Sequence, residues 1–259
     1  MNRQLLLPAL SLLLIVSCKK DTTTTTPTPS DVHLKSGLLL YLPFEGNMAD
    51  SSGNGNTTTA VGGAALTYDE HGDSASAFGG TGNGERILVT NNGSISFDTA
   101  FTVSIECMVR TNAYRQGFIT MVNNATGYAP SFLVSASIPN LPNLDFGVPD
   151  STGTCDTYGT TDGKLTDTTS FVLQPESWYN IVNVFYKGTI QTYINGNLIS
   201  TKTGGSSTAH VCPGAQVVIG GWWENDPISI NGKLDEVRLY NRVLNADEIA
   251  ELAKNFKDN

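Results

Sequence analysis

The stretch Phe101-Thr-Val-Ser-Ile-Glu-Cys-Met-Val-Arg110 alternates with a period of two. Phe101, Val103, Ile105, Cys107 and Val109 fall on one face, and Thr102, Ser104, Glu106, Met108 and Arg110 on the other. An extended chain sorts its side chains this way, so the segment reads as a strand with one face in a core. The same grammar recurs on both sides. Gly37 to Phe44, Ile87 to Val89, Phe118 to Val122 and Phe132 to Val134 are strand candidates. So are Trp178 to Tyr186, Ile190 to Ile194, Leu198 to Thr203, Val217 to Ile219 and Leu234 to Tyr240. Asn195-Gly196 joins two of them as a hairpin, because both residues tolerate positive φ. Clusters of Gly, Asn and Ser at 51–56, 79–84 and 91–94 read as loops. With no internal repeat and no second domain boundary, many short strands predict a β-sandwich.

One segment breaks the pattern. Asn245 can cap a helix, with Glu248 completing a capping-box-like pair. Ile249, Leu252, Ala253 and Phe256 then share one face at helical spacing. A short helix is expected there, lying against the sandwich as a lid.

Composition narrows the partners. The chain has 259 residues, 15 Lys and Arg against 24 Asp and Glu, and a net charge of -9. Nucleic acid demands a positive field, which this chain lacks, so DNA and RNA are excluded as partners. Only 15% of residues are charged while 26 are Gly, a balance that suits an extracellular β-protein.

The N-terminus reads as an address. Arg3 precedes the apolar run Leu5 to Val16, which Pro8 interrupts and which is too short to span a bilayer of about 20 apolar residues. Residues 1–17 are expected to be a secretory signal. Ile15-Val16-Ser17-Cys18 resembles the bacterial lipoprotein signal, which implies a lipid on Cys18 and attachment through several acyl chains. Lys19 follows the cysteine, favouring the outer membrane; surface display is expected, and the sequence leaves the periplasmic face open. Residues 18–36 carry the lipidated cysteine and a Thr/Pro-rich linker with no apolar face to bury. The domain proper is then expected over 37–259.

A family resemblance emerges from the ordered segments. Leu40-Tyr-Leu-Pro-Phe-Glu-Gly-Asn47 and Asp50-Ser-Ser-Gly-Asn-Gly-Asn56 come first, then Phe101-Thr-Val and Met108-Val-Arg110. Trp178-Tyr-Asn-Ile-Val and Tyr193-Ile-Asn-Gly196 follow, and Asn231-Gly-Lys-Leu-Asp-Glu-Val-Arg-Leu-Tyr-Asn-Arg-Val-Leu244 closes the series. Together they resemble laminin-G-like domains of the concanavalin A-like lectin/glucanase superfamily. The resemblance implies an all-β jelly-roll sandwich of two antiparallel sheets with a short C-terminal helix. It also implies a structural calcium between the first and last strands, away from the sugar groove. Glu45, Gly46 and Asp235 match the segments that contribute there, with Asp50 nearby. The alternative for Asp235 is a buried carboxylate that caps loop amides or pairs with Arg238.

Catalytic machinery is hard to find. Glucan-cutting members of the superfamily carry a Glu-x-Asp-x-x-Glu strand; here Glu224-Asn-Asp226-Pro-Ile-Ser229 starts that way and ends in Ser. Pro227 removes a ladder donor as well. Glu106 lies on a good strand without a carboxylate at 104 or 108, so a partner would have to come from another strand. The three His, at 33, 71 and 210, lack zinc-ligand spacing, and no Gly-x-Ser-x-Gly elbow or phosphate loop exists. No residue is assigned as catalytic, and no enzyme activity is expected.

Of the remaining cysteines, Cys155 and Cys212 sit in loop-like sequence and are expected to form a disulfide, while Cys107 reads as a buried thiol. Sugar recognition needs aromatic faces with polar neighbours. Gly220-Gly-Trp-Trp-Glu-Asn-Asp226 is the densest such stretch, making Trp222, Trp223, Glu224 and Asp226 the candidate ligand-binding residues. Tyr114 and Arg115 form a second group. Adjacent Trp residues in an extended chain point to opposite sides, so one of the pair faces outward. The alternative is that Trp222 or Trp223 covers the core edge. The expected function is a lipid-anchored, non-catalytic module that binds a glycan. The alternatives are an adhesion module for a cell-surface protein and, last, a glycoside hydrolase with non-standard carboxylates.

Overall fold

The computed structural model describes residues 32–111, 115–123, 129–137, 143–148, 165–209, 211, 212, 214–222 and 228–258. They lie in one compact unit that begins at Asp31. The first strands are β1 (Leu38–Leu42), β2 (Thr57–Val61), β3 (Ala65–Thr67), β4 (Ala77–Thr81) and β5 (Arg86–Thr90). Next come β6 (Ala100–Val109), β7 (Gln116–Asn123), β8 (Ala129–Ser137), β9 (Asn143–Val148) and β10 (Leu165–Thr168). The last are β11 (Trp178–Tyr186), β12 (Thr189–Ile194), β13 (Asn197–Thr203), β14 (Gln216–Ile219) and β15 (Asn231–Tyr240), before the helix α1 (Ala246–Asp258). Among the described residues no helix is long and apolar enough to cross a membrane.

The strands form two antiparallel sheets. One runs β13-β12-β11-β6-β15-β4-β3, with β1 also pairing to β15; the other runs β10-β9-β8-β7-β14-β5-β2. The apolar side of β6 meets Ile119, Met121, Phe132, Val134, Val217 and Ile219 of the second sheet in one core. Phe97, Phe101, Phe132 and Phe185 bind it at one end, with ring centroids 4.4 to 5.9 Å apart. Cys107 is a free thiol within this core, as its place on the apolar face predicts.

A second apolar cluster lies on the other side of the larger sheet. Val182, Val184 and Tyr240 pack there against Leu244, Ile249 and Leu252 of the helical segment. The cap is a reciprocal box: Glu248 N–H donates to Asn245 Oδ1 and Asn245 N–H to Glu248 Oε2, both at 2.9 Å. Burying Leu252 and Ile249 contributes about 1.5–3 kcal/mol each. The helix is the lid that its periodicity announced.

Several expectations shift. The polar side of β6 is buried too, because α1 covers one end of it and the segment around Asp69 and Glu70 the other. Gly79-Gly80-Thr81, read as loop, ends β4 instead. Its glycines are required there, since a Cβ on Gly80 would meet the Ile230 carbonyl oxygen at 2.4 Å. Residues 33–36 also make contacts with the strands and the helix. Leu34 packs on the helix cluster, while Arg242 donates to the His33 and Ser36 carbonyls and Glu248 accepts from the His33 N–H. The hairpin reading holds, with Asn195 at φ 50° and Gly196 at 79°.

Candidate functional site

Two places outside the core carry chemistry. The first is the outward face of the seven-stranded sheet. Val217 and Ile219 of β14 enter the core, so Val218, in register with Leu88 and Thr120, turns away from it. On β8, Phe132, Val134 and Ala136 enter the core and Ser131, Leu133 and Ser135 face outward. Ser131 and Ser135 are buried, and neither hydroxyl has a hydrogen-bond partner. Gly117 of β7 stands in register with Ser135, and Trp222 fills the space its missing side chain leaves. A Cβ on Gly117 would lie 2.3 Å from Trp222 Cδ1.

Trp222 is therefore laid against the sheet, outside both apolar clusters and 7% exposed. The Arg115 guanidinium sits over its ring, 4.6 Å from the centroid. The two sequence candidates Trp222 and Arg115 thus come together as a cation–π pair. Thr120 Oγ1 donates to the Gly221 carbonyl beside them. Trp223, Glu224, Asp226 and Tyr114 lie outside the described residues.

The second place is the polar end of the larger sheet. Asn180 of β11, Glu106 of β6 and Asp235 of β15 stand in one row across three adjacent strands. They are 1%, 3% and 4% exposed. Neither the Asn180 side-chain oxygen nor its nitrogen has a hydrogen-bond partner, and neither does Glu106 Oε2. Asp69 and Glu70 come over the row, and ligand oxygens of Asp69, Glu70 and Asp235 lie within 4.8 Å of one another. Lys233 pins this segment by donating to the Tyr68 carbonyl at 2.6 Å. Burial pushes the Asp235 carboxyl up to about 9, even though it accepts the Glu236 N–H. Burial first, then the charges of Glu70 and Glu236, holds Glu106 well above the carboxylate range. The next acid in sequence, Glu236, shows the contrast: Tyr41 and Arg238 both donate to it.

The residues expected to hold calcium have these hydrogen-bond partners. Asp50 is occupied in its own loop, accepting from the Tyr41 and Ser52 N–H groups and from Asn56 Nδ2. Glu45 accepts from Ser76 Oγ, and Gly46 N–H donates to the Ala75 carbonyl. Asp235 gathers with Asp69 and Glu70, two residues that sequence reading passed over. Their signal was present as an acidic pair just after a strand, but nothing local ties it to Asp235. The residues still fit a hard cation, since the row holds orphaned oxygens in a low-dielectric place. Cys212 is buried, and Cys155 lies outside the described residues.

Two antiparallel sheets around one core, with the first and last strands paired and a helix on the outside, define a concanavalin A-like jelly roll. The chain belongs to the laminin-G-like family described as the concanavalin A-like lectin/glucanases superfamily, whose model matches residues 81–250. No curated protein matches its sequence significantly. Solved structures share the fold at low identity. The binding domain of Paraclostridial Mosquitocidal Protein 1 is 20% identical, with a TM-score of 0.65 over 87% of this chain and 54% of that one. Domain 4 of the extracellular arabinanase AbnA from Geobacillus stearothermophilus, in complex with arabinotriose, is 17% identical, with a TM-score of 0.61 over 83% and 98%. The ligand-binding domain of botulinum neurotoxin serotype D, in complex with N-acetylneuraminic acid, is 14% identical, with a TM-score of 0.60 over 85% and 51%. The chain spans about half the length of the toxin domains that it matches.

Proposed function

We propose that the protein is a non-catalytic carbohydrate-binding module held at the bacterial outer membrane by lipid on Cys18. The observation that carries the glycan reading is Trp222, placed outside the core clusters on the outward face of the seven-stranded sheet. Ser131 and Ser135 lie on the same face but are buried, and Trp222 itself is 7% exposed, so a sugar would meet Arg115 first. An aromatic ring with polar neighbours is what pyranose recognition requires. The structural relatives solved with arabinotriose and with N-acetylneuraminic acid support the reading. Trp223, Glu224, Asp226 and Tyr114 would extend the site. Catalysis has less support. Glu106 does find a cross-strand carboxylate in Asp235, but both are enclosed where no polysaccharide reaches.

A glycan-array and polysaccharide-pulldown screen of the purified protein tests this reading. Binding that falls at least tenfold in both Trp222→Ala and Arg115→Ala, with native circular dichroism, supports it. Binding that survives both changes, or no binding to any glycan, overturns the assignment. A protein partner is favoured by one feature, the edge strand β13, where Leu198 and Ile199 are 51% and 40% exposed. If that reading is correct, cell-surface capture is lost in Leu198→Lys and unaffected by Trp222→Ala. Lipidation is tested by metabolic labelling with a clickable fatty acid, which Cys18→Ser abolishes.

A further inference from the structure

The outward face of the seven-stranded sheet carries positive charge in an otherwise acidic protein. Arg115, immediately before β7, is half-buried, with its guanidinium 4.6 Å from the centroid of the Trp222 ring. Among the described residues no carboxylate makes an ion pair with it. Arg86 of β5 belongs to the same face. Its strand neighbours Ile87 and Val89 enter the core, and its own stem borders Gly221, next to Trp222. It is 9% exposed, and its Nη1 donates to the Gly84 carbonyl at 3.0 Å. The adjacent acid, Glu85, is engaged in the turn after β4, accepting from the Thr81 and Asn83 N–H groups and the Thr81 hydroxyl. Held flat on an indole, a guanidinium loses little further freedom on binding and still offers its N–H edge.

We propose that this face selects saccharides bearing an anionic group, a carboxylate or a sulfate, and that Arg115 receives that group. The inference rests on the carbohydrate-binding reading and says which class of sugar the site takes. A neutral pyranose needs the open face of an aromatic ring, but Trp222 is 7% exposed and Arg115 lies over it. A carboxylate or sulfate needs two parallel N–H donors, which a guanidinium presents as a fork. Trp222 is then a positioning residue that holds the fork flat, and Gly117 leaves the room for its indole. Arg86 adds a second positive charge behind the site, where burial leaves its field less screened than that of a surface lysine. The net charge of -9 works against unspecific attraction of polyanions, so recognition has to be local.

A glycan array that prints uronate-bearing, sialylated and sulfated glycans beside their neutral counterparts tests it, with Kd then measured for the hits. Anionic glycans are expected to bind, and methyl-esterifying the carboxylate or removing the sulfate should weaken binding by about tenfold or more. Which treatment acts tells carboxylate from sulfate. Arg115→Gln should lose about tenfold or more, and Arg115→Lys less, because it keeps the charge without the fork. Lys187→Gln makes the same charge change at an exposed residue of the other sheet and should leave Kd unchanged. Trp222→Phe, which keeps a ring under the guanidinium, should retain most of the binding that Trp222→Ala loses; equal loss in both overturns the positioning role. Neutral hits that are lost in Trp222→Ala keep the carbohydrate reading and overturn this inference. So does an anionic hit that Lys187→Gln weakens as much as Arg115→Gln, since general charge would then explain it. Silence across the whole array overturns the carbohydrate reading itself, and this inference with it.

Discussion

Strands β11, β6 and β15 turn the same outer face to two different neighbours. At one end Val182, Val184 and Tyr240 are sealed under α1, with apolar contact and a reciprocal cap. At the other, Asn180, Glu106 and Asp235 are just as buried, yet several of their polar atoms lack partners. Burial is common to both ends, and so is an unpaired polar atom, Tyr240 Oη at the sealed end; what differs is that the other end gathers carboxyl and amide groups. The difference separates an end closed by apolar packing from one where buried carboxyl and amide atoms crowd together.

The comparison breaks most visibly at the sealed end. Leu252→Ala should cost about 3 kcal/mol through lost transfer and a residual cavity, read by urea denaturation. A loss below about 1 kcal/mol would mean that the helix is an ornament on the sheet. Glu248→Gln comes next, at about 1–2 kcal/mol near neutral pH, because it weakens charge-assisted bonds to Arg242. Hydrogen bonding to Arg242 holds the Glu248 carboxyl below its ordinary value. Its contribution is therefore full above the unfolded value of about 4.3 and disappears as pH falls through the folded one. The gap between wild type and Glu248→Gln should close in acid; a gap constant from pH 7 to pH 3 would contradict this.

The polar end should respond more weakly. Glu106→Gln is expected to change stability by less than about 1 kcal/mol, since Oε2 has no partner to lose and the amide can keep the hydrogen bond to Glu70. A drop of several kcal/mol would show that Glu106 already holds the sheet together unaided. The smallest effect sharpens the contrast across a single peptide bond. Cys107, next to Glu106 but turned to the core, has its thiol pushed up by burial. It should not react with a disulfide reagent until the protein unfolds.

Period and punctuation made the long elements legible. β6 and β11 are long enough to show alternation, Asn195-Gly196 names its turn, and Asn245 with Glu248 names the helix start. β2, β3, β4, β9 and β10 are not announced by the sequence: the first three are short and built largely from Thr, Ala and Gly, and the last two carry Asn, Asp or Gly, whose propensities point to loops. In β4 the glycines serve close backbone approach, a property of the neighbours rather than of the segment. The candidate sites were legible only in pieces. Trp222 and Arg115 could be nominated by chemistry but not placed together. Glu106 stood out on its strand, yet its neighbours come from β11, β15 and a loop distant in sequence. Register across a sheet is set by the whole topology, so no local pattern announces it.

The clamp on residues 33–36 has a mechanical meaning. Arg242 grips the His33 and Ser36 carbonyls while Glu248 takes the His33 N–H and both charges of the pair sit side by side. Any pull on the segment ahead of residue 32 meets this knot before it reaches β1. Load then passes into the β15–α1 junction, the part of the molecule tied to both the sheet and the helix. Peeling of β1 from β15 can start only after the knot has opened, so the domain resists traction applied ahead of β1.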